Sequence, residues 1–265
     1  MKTHAFVINL RRCTERRKSV LKRLSIFPGI VPEIVEAVDA AARDATELQK
    51  KVASPETLFR SCGVHAMSDG EVACALSHLE CMAKIDSGCD EAVLVLEDDT
   101  LFGPDFGRAV DSARLFLESR KVPSVVLFSA RTWTFGNKLA EWTGPGNAFK
   151  CAAAVGAYAY LVNQEGARAL LRTALPLTGP FDHWRGHFRN GMKLYSVVPH
   201  VASFVGAGDD SSLRAGRIET WNEELQIRSK KPAIRNWFET RFSGTEISKK
   251  FLRMFLNGRF NDKMW

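Results

Sequence analysis

The sequence predicts an α/β fold: a mostly parallel sheet with helices on both faces, extended by a basic, mainly helical C-terminal tail. Three observations carry that expectation. Runs of strand length at 4–10, 92–96, 124–129 and 155–162 are apolar at successive positions, as strands buried on both faces are. Helical patterns follow several of these runs, and alternating strands and helices build parallel sheets. Beyond about residue 205 the character changes, and Lys and Arg accumulate, so residues 1–205 read as one domain and 206–265 as an extension.

Taken in order, "HAFVINL" (4–10) is rich in β-formers, and "TERRKSVLKRLSIF" (14–27) places Val20, Leu21, Leu24 and Phe27 at helical spacing. The stretch 39–62 is rich in Ala, Lys and Asp without a clear period and reads as a helix and a mobile loop. "SDGEVACALSHLECMAKI" (68–85) opens with Ser68 and, three residues on, Glu71, the pattern of a capping box, ahead of Val72, Leu76, Leu79 and Ala83 on one face. "AVLVL", "SVVLFS" and "VGAYAYLV" supply three strands. "NQEGARALLRTAL" (163–175) reads as a helix capped by Asn163, and "KLYSVV" (193–198) as another strand. In the tail, "EISKKFLRMFLNGRF" puts Ile247, Phe251, Met254 and Phe255 on one face, with Lys249, Lys250 and Arg253 among the rest.

A chain of 265 residues with 45% hydrophobic content can bury a sizeable core. A net charge of +7 and a pI near 9.2 favour an anionic partner: a phosphate-bearing small molecule, a nucleic acid or an anionic membrane. The apolar run at the N-terminus is too short for a signal peptide or a span, and no other stretch reaches about 18 apolar residues, so the cytoplasm is the expected compartment. Six cysteines without a CxxC pair argue for reduced thiols.

Ligands of open parallel sheets bind at the carboxyl ends of strands. There, "EAVLVLEDDT" (91–100) ends a buried run in Glu97, Asp98 and Asp99. Adjacent carboxylates repel unless they share a cation, and hard ions such as Mn²⁺ or Mg²⁺ take carboxylate oxygens. The competing reading is that these acids cap a loop or helix. "INLRRCTERR" (8–17) places Arg11, Arg12, Arg16 and Arg17 after the first strand, where guanidinium forks and helix amides suit a diphosphate, although solvated surface also explains any single arginine.

Four stretches in this order, "FVINLRRCTERR", "DGEVACALSH", "VLVLEDD" and "GAYAYLVNQEGARALL", make the chain resemble glycosyltransferase family 25, the enzymes of lipooligosaccharide biosynthesis related to the collagen galactosyltransferases. The resemblance covers roughly residues 4–205. It implies a GT-A type fold and inverting transfer of a sugar, typically galactose from UDP-galactose, to a glycan hydroxyl. It further implies Asp99 as ligand of Mn²⁺ (or Mg²⁺), with Glu97 or Asp98 directed at the ribose or at the metal through water. Asn9 and Arg16 would contact the uridine diphosphate, with Leu10 and Arg12 beside them, and Glu71, Cys74, Ser77 and His78 match the second motif, from which Ser77 and His78 join the donor-binding set.

For the base, Asp182 in "GPFDHW" ranks ahead of Asp210 in "GDDSSL"; each could equally be a turn aspartate. Trp184 is a candidate to stack on an acceptor sugar. His200 could be a further metal ligand or a structural histidine. Cys74, His78 and Cys81 share a helical stripe with Glu71 and could ligate zinc. Lacking a fourth ligand, they are better read as one side of a buried helix, with His78 and Ser77 bonded to a neighbouring loop. The tail could attach to the inner face of the cytoplasmic membrane, where a lipid-linked oligosaccharide acceptor would be presented, or pack as helices with a solvated basic face. A metal-dependent nucleotide phosphohydrolase and a non-enzymatic module binding anionic surfaces are the alternatives. Nucleic acid is not expected, because three acids at a strand end repel phosphates and few aromatics interleave the basic residues.

Overall fold

The computed structural model describes residues 2–205 apart from residue 89. Asp210 and the basic tail lie outside the described residues. In chain order the elements are β1 (Thr3–Asn9), α1 (Thr14–Leu24), β2 (Ile30–Glu36), α2 (Ala45–Gln49), α3 (Pro55–Cys62), α4 (Asp69–Ser87), β3 (Ala92–Glu97), β4 (Thr100–Phe102), α5 (Phe106–Glu118), β5 (Ser124–Phe135), β6 (Asn147–Asn163), α6 (Gln164–Arg172), β7 (Lys193–Val198) and β8 (Ala202–Phe204), with short 3₁₀ turns at Ala40–Ala42 and Trp184–Asn190.

The main sheet has six strands in the order β2-β1-β3-β6-β5-β7. Pairs β1–β2, β1–β3 and β5–β7 are parallel, whereas β6 runs antiparallel to β3, β5 and β7. The sheet is therefore mixed, with one reversed strand in an otherwise parallel set. The reversal follows from the connection: no helix separates β5 from β6, and a chain that returns without a crossover must pair antiparallel.

Both faces are covered, as the continuous apolar runs require. Phe6, Ile8, Val93, Val95, Val125, Leu127, Tyr160 and Val162 face the layer containing α4 and α6. Their alternates Ala5, Val7, Leu94, Leu96, Val126, Phe128, Ala159 and Leu161 face α1 and α5. This period-two division decides which face each residue at a strand end serves.

The capping box at α4 forms: the Ser68 hydroxyl accepts from the Glu71 amide, and the Glu71 carboxylate accepts from the Ser68 amide at 3.0 Å. The Asn163 side chain accepts from Gly166 and caps α6. Two elements differ from expectation. β2 joins the sheet edge although its "IVPEIVE" lacks a continuous apolar run, Val31 and Pro32 being exposed. The stretch 39–62 is built of short capped helices: Asp44 caps α2, Ser54 caps α3 ahead of Pro55, and Gly63 closes α3 at φ +83°. No helix among the described residues is long and apolar enough to cross a membrane. The described cysteines Cys13, Cys62, Cys74, Cys81 and Cys151 are not disulfide-bonded.

Candidate active site

Because β1 and β3 are parallel neighbours with Ile8 opposite Glu97, their carboxyl ends lie side by side. Alternation then sorts the acids. Glu97 continues the α4-facing series of Val93 and Val95, and its carboxylate lies 3.6 Å from Nε2 of His78 on α4. Asp98 continues the opposite series and meets α1. Asn9, in register with Ala5 and Val7, emerges on that same face.

Asp98 is 5% exposed and is held from several directions. Asn9 Nδ2 donates to its Oδ2 at 2.6 Å, Arg16 Nη2 lies 3.1 Å from its Oδ1, and Arg23 Nη2 donates to its carbonyl at 3.0 Å. Asn9 is itself oriented by Arg17, whose Nε donates to Asn9 Oδ1 at 2.9 Å, and donates to the Cys13 carbonyl at 3.1 Å. Arg23 Nε also donates to the Thr100 carbonyl at 2.9 Å. Burial pushes the Asp98 carboxyl upward, with Arg16 and Asn9 acting against that. Burial also lowers the Arg23 pKa, against the pull of Asp99 and Asp98.

Asp99 is different. Its Oδ1 is buried with no hydrogen-bond partner. Burial first, then the charges of Glu97 and Asp98, raise its pKa to about 7, with Arg16 opposing. Arg16 Nε is likewise buried without a partner. One acceptor and one donor are thus left over in the same cluster, where a cation and an anion could each find a partner. The donor set at Asp99 fits a hard divalent ion.

The remaining expected residues divide. Leu10 follows β1, its carbonyl accepting from Cys13 at 2.8 Å in the turn into α1. Arg12 turns away to pair with Asp39. Ser77 is buried between α4 and the loop after β2, accepting from the Val38 amide at 2.9 Å and donating to the Ala73 carbonyl at 2.8 Å, as the buried-helix reading expected. His78 bonds not to a loop but to β6, through the Tyr160 hydroxyl at 2.9 Å. His200 is buried at the end of β7, its Nδ1 3.1 Å from the Val197 carbonyl, and burial lowers its pKa.

Asp182 is half-buried, and its carbonyl accepts from the Gly156 amide at 3.1 Å. Its predecessor Phe181 stacks on His78 with centroids 4.4 Å apart and planes 3° from parallel. The ring stack connects the Asp182 turn to the acid cluster through His78 and Glu97. Trp184 does not serve as a sugar platform: it is 1% exposed, donates through Nε1 to the Gly156 carbonyl at 2.8 Å and packs against Tyr160 and Phe181.

Sequence reading missed Arg23 and Tyr160. Arg16 and Arg23 are seven residues apart on α1 and flank the fully buried Val20, so both lie along the helix face that packs on the sheet. That spacing was the available signal for Arg23. Tyr160 sits within an apolar run and carries no signal beyond its hydroxyl.

Against known families, residues 2–184 match the model described as glycosyltransferase family 25 (LPS biosynthesis protein). A protein of Anopheles gambiae named "Glycosyltransferase 25 family member" is 27% identical over 218 residues, 74% of this chain and 36% of that protein. One of Aedes aegypti with the same name is 26% identical over 266 aligned positions, covering 86% of this chain and 40% of the relative. The chain thus spans less than half the length of these relatives.

Proposed function

The chain belongs to glycosyltransferase family 25, and from that premise we propose that it is an inverting glycosyltransferase of GT-A type. It would move a sugar, galactose from UDP-galactose, to a hydroxyl of a lipooligosaccharide or other surface glycan. The observation that carries the reading is the pairing at the ends of β1 and β3: Asp98 immobilised by Asn9 and Arg16, beside Asp99 with an unpartnered buried oxygen.

In this reading Asp99 would hold Mn²⁺ or Mg²⁺, with Glu97 or Asp98 as the assisting carboxylate. Such an ion, when bound, neutralises charge on the leaving diphosphate. Both Asp98 carboxylate oxygens already have protein partners, so Asp98 acts chiefly by fixing Arg16 and Asn9. Arg16 directs its spare donor at the diphosphate, next to the start of α1, where no side chain caps the amides. Asp182 takes the proton of the acceptor hydroxyl as that oxygen bonds to the anomeric carbon. The bond from that carbon to the diphosphate oxygen breaks on the opposite side, which inverts the configuration.

The basic segment 206–265 would dock the enzyme on the cytoplasmic face of the membrane, near a lipid-linked acceptor. Flotation with anionic liposomes tests this; equal flotation with and without residues 233–265 removes it. For the transfer itself, a calorimetric screen of UDP-sugars with and without Mn²⁺ is the test. A metal-dependent, sugar-selective signal is expected, and indifference to both metal and UDP would overturn the reading.

A further inference from the structure

Cys74 and His78 sit four residues apart on α4, and Glu97 meets them from the end of β3. A donor atom from each lies within 4.8 Å of the other two. We propose that these three side chains form a binding site for a borderline-soft divalent ion of the zinc class, chemically distinct from the hard-cation position at Asp99. The proposal does not depend on the glycosyl-transfer reading.

The donor set selects the ion. Thiolate and imidazole favour zinc over magnesium or manganese, whereas Asp99 offers only oxygen. The separation of His78 Nε2 from Glu97 Oε1, 3.6 Å, is too long for a hydrogen bond. It is near the roughly 3.4 Å that two ligands of one tetrahedral ion keep between them. Helical spacing on the sequence offered Cys81 as the third ligand; the structure brings Glu97 instead, while Cys81 is fully buried in the core.

The imidazole is also preset. Tyr160 bonds Nδ1 at 2.9 Å, which leaves Nε2 to face Glu97, and Phe181 stacks flat on the ring. A ligating histidine held through its other nitrogen by an outer partner is the usual arrangement at metal sites. Three protein ligands leave a position for water or a small anion. A bound ion commits Glu97 to α4, leaving Asp98 and Asp99 to the opposite side of the triplet.

Co²⁺ alone, added to the full chain stripped of metal, is the probe, read without donor or acceptor. The expected result is a thiolate-to-cobalt charge-transfer band saturating at one Co²⁺ per chain and displaced by Zn²⁺ but not by Mg²⁺. Cys74→Ser, or Cys74→Ala if serine disturbs the helix, removes the band. Glu97→Gln weakens Co²⁺ binding by more than about tenfold, and Tyr160→Phe by about 10- to 100-fold. Cys13→Ser and Asp99→Asn leave the band unchanged. Absence of the band in the folded wild-type chain, or its survival in folded Cys74 variants, overturns the proposal.

Discussion

Asn9 Nδ2 donates to Asp98 Oδ2 at 2.6 Å, joining the carboxyl ends of β1 and β3 by a contact between residues 89 apart in the chain. Replacing Asn9 by Ala leaves a buried carboxylate one donor short. The expected loss is about 2–3 kcal/mol of stability, together with weaker UDP binding, because Arg17 loses its anchor as well. Urea titration and calorimetry with UDP read the two effects separately; an unchanged midpoint would show that the bond carries no weight.

Asp99 titrates in a direction that can be measured. Its pKa rises from 3.8 to about 7 in the folded chain, mainly through burial, so the folded state holds the proton more tightly than the unfolded one. The cost to stability is full above about pH 7 and is relieved as the pH falls toward 4. Metal-free Asp99→Asn is therefore expected to exceed the wild type by about 1–3 kcal/mol at pH 8, well under the full linkage value because the carboxyl is partly solvated, and to match it near pH 4. Thermal melts across that range check it, and the opposite slope refutes it.

Removing Asp99 should also remove the response to manganese. Saturating Mn²⁺ is expected to raise the melting temperature of the wild type, and Asp99→Ala to lose that rise while keeping the native circular dichroism. UDP release with acceptor present falls with it. Full activity in the variant would move the metal elsewhere.

For Asp182→Asn, turnover should fall by about 10²- to 10⁴-fold with UDP-sugar affinity retained. Calorimetry of the donor and a UDP-release assay with acceptor distinguish that from a general disturbance of the turn. Unchanged turnover would leave the acceptor proton to another group.

Ser68→Ala serves as a structural comparison. Loss of the capping box at α4 should cost about 1 kcal/mol of stability and leave the KM for donor as it was, since the cap lies ten residues before His78. A large change in KM would mean that the start of α4 reaches the donor.

The strands that sequence reading located are those buried on both faces, because continuous apolar runs such as 92–96 have strand length and are rich in β-branched residues. β2 escaped because an edge strand with Pro32, Glu33 and Glu36 carries too few buried positions to form a run. The first half of β6, "NAFKCAAA", escaped because its alanines carry no strand signal; pairing with β5 and β7 makes it a strand. The acid triplet was legible as a cluster at a strand end. Its division was not, because Glu97 goes to His78 and Asp98 to Asn9 only once parallel pairing of β1 with β3 fixes which face each strand end serves. The aromatic role expected of Trp184 failed for a similar reason: residues of a loop become core when β6 lies beneath them.

β7 pairs with both β5 and β6, yet it begins at Lys193, beyond residue 184 where the family match ends. A protein cut at the boundary of that match would keep every acid and arginine of the site. It would nevertheless expose two adjoining strand edges to intermolecular pairing, so it would be expected to precipitate rather than to lose its chemistry cleanly. Shortened forms meant for crystallisation or assay should therefore end no earlier than Phe204, the last residue of β8.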